Sequence, residues 1–228
     1  MPLTADLWQH YGRGRHAADR GVPDTFRWSW SQRGGPGPEV LGELTGLLVG
    51  DLGAGSARHA AHLALHHRPA QVVAVDASPA QHAMATDLYE HLGPRLRLVR
   101  DDVVRHLRAM AGAYSVLYSV FGAVDFTDPR ETLPAAATAL RPGGRLVFST
   151  LAHYLNGEPA PLDVRHADIP VRTPEGNAAT MRRWVLAEQV WTGLLAESGF
   201  TRVGVVALPR EAGPRGADAW LVSAYREE

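Results

Sequence analysis

Lysine and cysteine are both missing from this chain of 228 residues. All 23 basic residues are therefore arginine, against 24 acidic ones, for a formal net charge of −1. Without lysine, Schiff-base chemistry and a lysine general base are excluded. Without cysteine there are no disulfides, no thiolate nucleophile and no cysteine-ligated zinc, and no metal site is expected. The even charge balance offers no basic face for nucleic acid or for an acidic membrane. Long apolar runs are lacking too. The start, MPLTADLWQHYGRGRHAADRG, has no signal-peptide core, and no segment approaches the length of a membrane span. One cytoplasmic domain with a substantial core is expected; the oligomeric state is not legible.

What the chain does have is rhythm. Residues 3–20 place Leu7, Trp8 and Tyr11 near one face of a short amphipathic helix. GVPDTFRWSWSQRGGPGPE reads as loop, and EVLGELTG as a helix stopped by Gly46. From Leu47 strands and helices alternate. Strands are expected at Leu47–Leu52, Gln71–Val75, Leu96–Arg100, Ser115–Val120 and Arg145–Ser149. Helices are expected at Ser56–His67, Pro79–Leu92, Val103–Ala111 and Pro129–Leu140. Such crossovers imply parallel pairing, with both faces of the sheet covered.

After Thr150 a polar, proline-rich stretch is too long for an ordinary connection and reads as a functional flap. A helix over Ala187–Ser198, capped by Gly199, precedes strands Arg202–Ala207 and Ala219–Tyr225, joined too closely for a crossover. The expected fold class is α/β: a doubly wound, Rossmann-like, mostly parallel sheet of seven strands, the last two an antiparallel hairpin. It forms a single domain, with a cap (1–46), a cofactor core (47–150), an insertion (151–186) and a C-terminal helix and hairpin (187–228).

The first strand runs into GDLGAGSAR, and ligands of open α/β sheets bind beyond such strand ends. Gly53 and Gly55 match the first two glycines of a dinucleotide turn, but Arg58 takes the third position, and a Walker loop needs a lysine. Asp51, two residues before Gly53, would repel a pyrophosphate and suits an α-amino group. Asp76 ends the second strand, at the distance from the glycines where an acid accepts both hydroxyls of a ribose. Asp102 ends the third, placed for an exocyclic amine, with Val103 to pack on the ring. Amino acid, ribose and adenine in strand order describe S-adenosylmethionine.

DLGAGSARHAAHLA, VVAVDASPAQ, RDDV, YSVFGAVDFTDP and LRPGGRLVFS are similar, in order and spacing, to the class I S-adenosylmethionine-dependent methyltransferases, nearest to bacterial small-molecule enzymes. The likeness is carried by Leu47–Thr150. It implies that Asp51, Gly53, Ala54 and Gly55 hold the methionine moiety, Asp76 the ribose, and Ala77, Asp102 and Val103 the adenine. Val120 and the Phe121 backbone would face the sulfonium, and S-adenosylhomocysteine would be the product. Ala54 and Ala57 stand where the family often has Cys or Gly and Gly.

On the acceptor side, His153 is the foremost general-base candidate, with His82 behind it, and Asp125 is a group that could orient an acceptor. Trp8 and Tyr11 would close over the cofactor, Tyr11 reaching its carboxylate. Trp28, Trp30, Tyr154 and Trp184 suit an apolar or aromatic acceptor. Trp191, at helical spacing with Leu194 and Leu195, belongs to the core. The reading is methyl transfer to N or O, less readily C, of a small molecule, in natural-product tailoring. A cofactor-binding regulator without turnover and an NAD-dependent oxidoreductase remain the alternatives.

Overall fold

The computed structural model describes residues 6–11, 19–173, 175–211 and 216–228. Its centre is a seven-stranded sheet in the order β3-β2-β1-β4-β5-β9-β8. These strands are β1 (Leu48–Leu52), β2 (Gln71–Asp76), β3 (Leu96–Arg100), β4 (Tyr114–Val120), β5 (Leu140–Leu151), β8 (Phe200–Leu208) and β9 (Ala219–Arg226). The first five pair in parallel, and β9 lies antiparallel to both β5 and β8. Strand order reverses between β1 and β4, which opens a crevice at their carboxyl ends.

The pleat explains why the central strands are apolar on both sides. Val73 and Val75, Leu117, and Leu146 and Phe148 enter one core layer. Val72 and Ala74, Val116 and Tyr118, and Val147 enter the other. The first layer packs α3 (Val103–Ala109), α5 (Pro129–Ala139) and α6 (Glu188–Glu197), where fully buried Trp191 meets Phe148 at 5.1 Å between ring centres. The second packs α1 (Arg58–His66) and α2 (Pro79–Tyr89) together with Phe26 and Trp28 from the N-terminal loop. A one-turn helix, α4 (Ala123–Phe126), follows β4. Gly199, at φ 86°, ends α6 as expected.

Several expectations need correction. EVLGELTG yields only a 3-10 turn, Pro38–Leu41, because Gly42 turns out of it at φ 63°. Of the helix expected over 3–20, residues 3–5 and 12–18 lie outside the described residues, and 7–11 form turns. Strand β5 begins at Leu140, not Arg145, with a register shift that absorbs the RPGG turn. The insertion holds its own hairpin, β6 (Ala167–Arg172) against β7 (Ala178–Arg183). Its alternation of half-buried and exposed residues went unrecognised among the prolines.

Candidate active site

The glycine turn is built by close backbone approach. Gly53 and Ala54 both donate to Val75 O, at 2.9 and 3.1 Å, which ties the end of β1 to β2. Gly53 sits at φ 77°, and a Cβ there would fall 2.1 Å from the backbone nitrogen of Ala123, the first residue of α4. A Cβ on Gly122 would meet Leu52 O at 2.5 Å. The β1 and β4 ends thus touch main chain to main chain, and Ser119 Oγ donates to Leu52 O at 2.8 Å. Ala57, at φ 58°, takes the left-handed conformation in which a glycine costs less.

Asp51 is 3% exposed and in register with Tyr118, whose hydroxyl donates to its Oδ2 at 2.8 Å. Burial pushes the Asp51 carboxyl up to about 7, with Tyr118 opposing and Asp76 reinforcing the rise. No arginine or histidine within ion-pair distance neutralises it among the described residues. Asp76 accepts from Gly55 N at 2.8 Å and from Ser78 N at 2.9 Å. Burial raises its pKa, and those two backbone donors hold it back. Asp102 caps α3, accepting from Arg105 N at 2.9 Å, and stays exposed. Val103 beside it is buried in the core layer, while Ala77 is exposed.

A strap, residues 6–11, closes over the start of α2. The Asp6 carboxylate takes the Ser78 hydroxyl at 2.8 Å and Ala80 N at 3.0 Å. Gln81 Nε2 donates to the carbonyls of Trp8 and Tyr11, both at 2.9 Å. Trp8 meets Phe126 edge-on at 4.7 Å and so bridges from β2 to β4 over the crevice. Tyr11 rests against Trp8 at 5.6 Å with its ring 64% exposed.

The acceptor-side residues divide. Trp30 and Tyr154 gather with half-buried Phe121 around Leu151, and Trp30 meets Phe121 at 5.0 Å. Phe121, the residue after β4, sits at φ 47°, a strained conformation of the kind found at functional sites. Trp28 instead is fully buried, its indole N–H donating to Gly37 O at 2.9 Å, and Trp184 is 4% exposed in the core. Neither offers a wall to an acceptor.

Nor are the two candidate catalytic groups free. His153 Nδ1 faces Tyr154 O at 2.8 Å, and its Nε2 accepts from Asp218 N at 3.3 Å. The ring therefore clasps the end of β5 to the segment before β9, and its lone pair is occupied. Asp125 has no exposed surface; Arg183 holds it with Nη2 at 2.6 Å and Nε at 3.2 Å from Oδ2. Burial raises the Asp125 pKa, and the guanidinium opposes that rise. His82 is half-buried on α2, on the Asp76 side.

Sequence reasoning missed Arg183, Gln81 and Asp6. No local motif marks any of them, because each acts across the fold: Arg183 reaches Asp125 over 58 positions and Asp6 reaches Ser78 over 72.

Residues 49–144 match a family model described as a methyltransferase domain. No curated protein sequence matches the chain. Among solved structures, an S-adenosylmethionine-dependent methyltransferase from Mesorhizobium loti is 22% identical at a TM-score of 0.57, over 82% of this chain and 94% of that one. The 1,6-didemethyltoxoflavin-N1-methyltransferase of Burkholderia thailandensis, with bound 1,6-didemethyltoxoflavin and S-adenosylhomocysteine, is 19% identical at 0.60, over 100% and 93%. A protein from Methanosarcina mazei described as one of the SAM-dependent methyltransferases is 15% identical at 0.61, over 83% and 97%. At these identities the structures speak for the fold, and the family model speaks for the motifs it spans. Together with the 3-2-1-4-5 order of parallel strands and the antiparallel pair that completes the sheet, they show that the chain shares the fold of these methyltransferases and that its residues 49–144 are similar to a methyltransferase domain.

Proposed function

We propose that the protein methylates N or O of a small molecule, a secondary metabolite, and binds S-adenosylmethionine across the ends of β1–β4. One observation carries the cofactor half: Asp51 is a buried carboxyl with Tyr118 on one side and, among the described residues, no cation within ion-pair distance. A buried acid of that kind is stabilised by an ammonium and punished by a phosphate. In this reading the Gly53–Ala54–Gly55 backbone accommodates the methionine portion. Asp76, already oriented by Gly55 N and Ser78 N, accepts from ribose hydroxyls. Ala77, Asp102 and Val103 border the adenine, and Val120 and Phe121 border the sulfonium.

Bound there, the cofactor supplies an electrophilic methyl group. The protein's contribution is alignment and exclusion of water: the strap covers the crevice, and Trp8, Phe126, Trp30 and Phe121 make its far wall apolar. The 1,6-didemethyltoxoflavin bound to the Burkholderia thailandensis enzyme is a small molecule, which supports an acceptor of that size here. The net charge of −1 supports a small metabolite over a nucleic acid.

The test is a pair of titrations. S-adenosylmethionine is expected to bind and NAD to fail, with Asp76→Ala losing the first interaction. Mass spectrometry of candidate metabolites should then show the gain of one methyl group. Tight binding of NAD with indifference to S-adenosylmethionine would overturn the reading.

A further inference from the structure

The Asp125–Arg183 pair is not needed to hold the cofactor, yet it sits beside the crevice at the end of β4. Arg183 ends β7, in the insertion, and is 5% exposed; Asp125 lies in α4. The guanidinium packs 5.1 Å from the Trp30 ring centre and 5.2 Å from that of Phe126. Through Phe126 it joins Trp8 of the strap, and through Trp30 it joins Phe121. A planar cation is thus fixed between two aromatic walls by a carboxylate behind it.

Two of its nitrogens are spent on Asp125. The third, Nη1, makes no hydrogen bond among the described residues and is not one of the fully buried unpaired polar atoms, so it keeps some open surface. Behind it, the Thr150 hydroxyl is a second side-chain partner of Asp125 and, with Arg183, holds that carboxyl down against the effect of burial. A guanidinium fixed between aromatic rings, with one nitrogen left unpaired, is suited to recognise a planar anion.

We propose that Arg183 selects the methyl acceptor: a planar, anionic small molecule that lies between the aromatic walls and sets its charged atom against Nη1. This rests on the methyl-transfer reading above and specifies its substrate class. Charge supports it. Arg183 and Asp125 cancel and Asp51 offsets the ligand's ammonium, so an anionic acceptor set beside the sulfonium pairs with it in a site that excludes water. In the transfer, a lone pair of the anion forms the bond to the methyl carbon while the carbon–sulfur bond breaks and its electron pair stays on sulfur. Anion and cation become two neutral centres, and no proton has to leave. That agrees with His153 and Asp125 both being engaged elsewhere.

Benzoate and benzamide test this, since they share a shape and differ in charge. With the protein saturated by S-adenosylmethionine at neutral pH, benzoate should bind about tenfold tighter or more, the ratio expected of one charge-assisted hydrogen bond. The double variant Asp125→Asn/Arg183→Gln leaves no unpaired buried charge. It should erase that preference while S-adenosylmethionine binds as before. Should the double variant not fold, Arg183→Lys keeps the charge and loses the planar fork, and the preference should drop several-fold. Equal binding of both probes to the unaltered protein, or a preference that survives in these variants, overturns the proposal. Failure of S-adenosylmethionine itself to bind overturns the parent reading, and this one with it.

Discussion

Tyr118 Oη donates to Asp51 Oδ2 at 2.8 Å across the β1–β4 switch point, in a site closed to water. Burial holds the Asp51 carboxyl near pH 7, so below that pH the cofactor-free protein carries it protonated. An ammonium ligand requires the ionised form. Affinity for S-adenosylmethionine should therefore fall up to tenfold per pH unit as pH drops below 7, with a proton released on binding. Above about pH 8 it should fall again as the ligand's own amino group deprotonates. Calorimetry in buffers of different ionisation enthalpy reads both limbs. Asp51→Asn should flatten the acid limb and weaken binding roughly 10- to 100-fold.

His153 should behave as a clasp. Its Nδ1–H is spent on Tyr154 O and its Nε2 on Asp218 N. His153→Ala is expected to cost about 1 kcal/mol of stability, near the worth of a hydrogen bond, and to leave the pH dependence of turnover unchanged. A lost ionisation in the pH–rate profile of that variant would return His153 to the role of base.

The contrast between the cofactor side and the acceptor side explains what was legible. Gly53, Gly55, Asp76 and Asp102 stand at strand ends, where a short segment fixes both conformation and chemistry, so their spacing could be read directly. The parallel order followed from helix-length crossovers for the same reason. Arg183 and Asp125 look like an ordinary basic pair member and a loop acid until β7 folds back onto α4. Trp28 and Trp30, two residues apart, met opposite fates: one went into the core and one to the crevice. Composition cannot separate them, because that depends on which layer the loop crosses. The hairpin of the insertion escaped because Pro170 interrupts its pattern, although Pro is tolerated on a two-stranded edge.

Acid should weaken the α1 face before it reaches the carboxylates. His62 Nδ1 lies 2.8 Å from Pro23 O, which can only accept, so the proton is on Nδ1 and Nε2 is left to accept from His67 Nε2–H at 3.3 Å. Burial is the main force lowering the pKa of each ring. The unfolded chain then takes up protons first, so this stability is complete above about pH 6.5 and declines as pH falls through the range below it. Each ring contributes at most about 1.4 kcal/mol per pH unit. Melting temperatures measured from pH 8 down to 5 should show the decline, and His62→Asn, which keeps a donor for Pro23 O, should make it shallower.

The strap should control entry to the crevice. Gln81 is 2% exposed and spends both amide hydrogens on the carbonyls of Trp8 and Tyr11. Leucine at that position matches its bulk and donates nothing, so Gln81→Leu frees the strap and leaves the N-cap of α2, Ser78, in place. Two neutral hydrogen bonds are worth about 1–3 kcal/mol, which sets the scale of the opening. S-adenosylmethionine should then dissociate roughly tenfold faster, and associate faster as well, because the cover opens more often. Stopped-flow measurement separates the two rates. A slower association with unchanged dissociation would mean that the strap helps to form the binding surface and does not gate it.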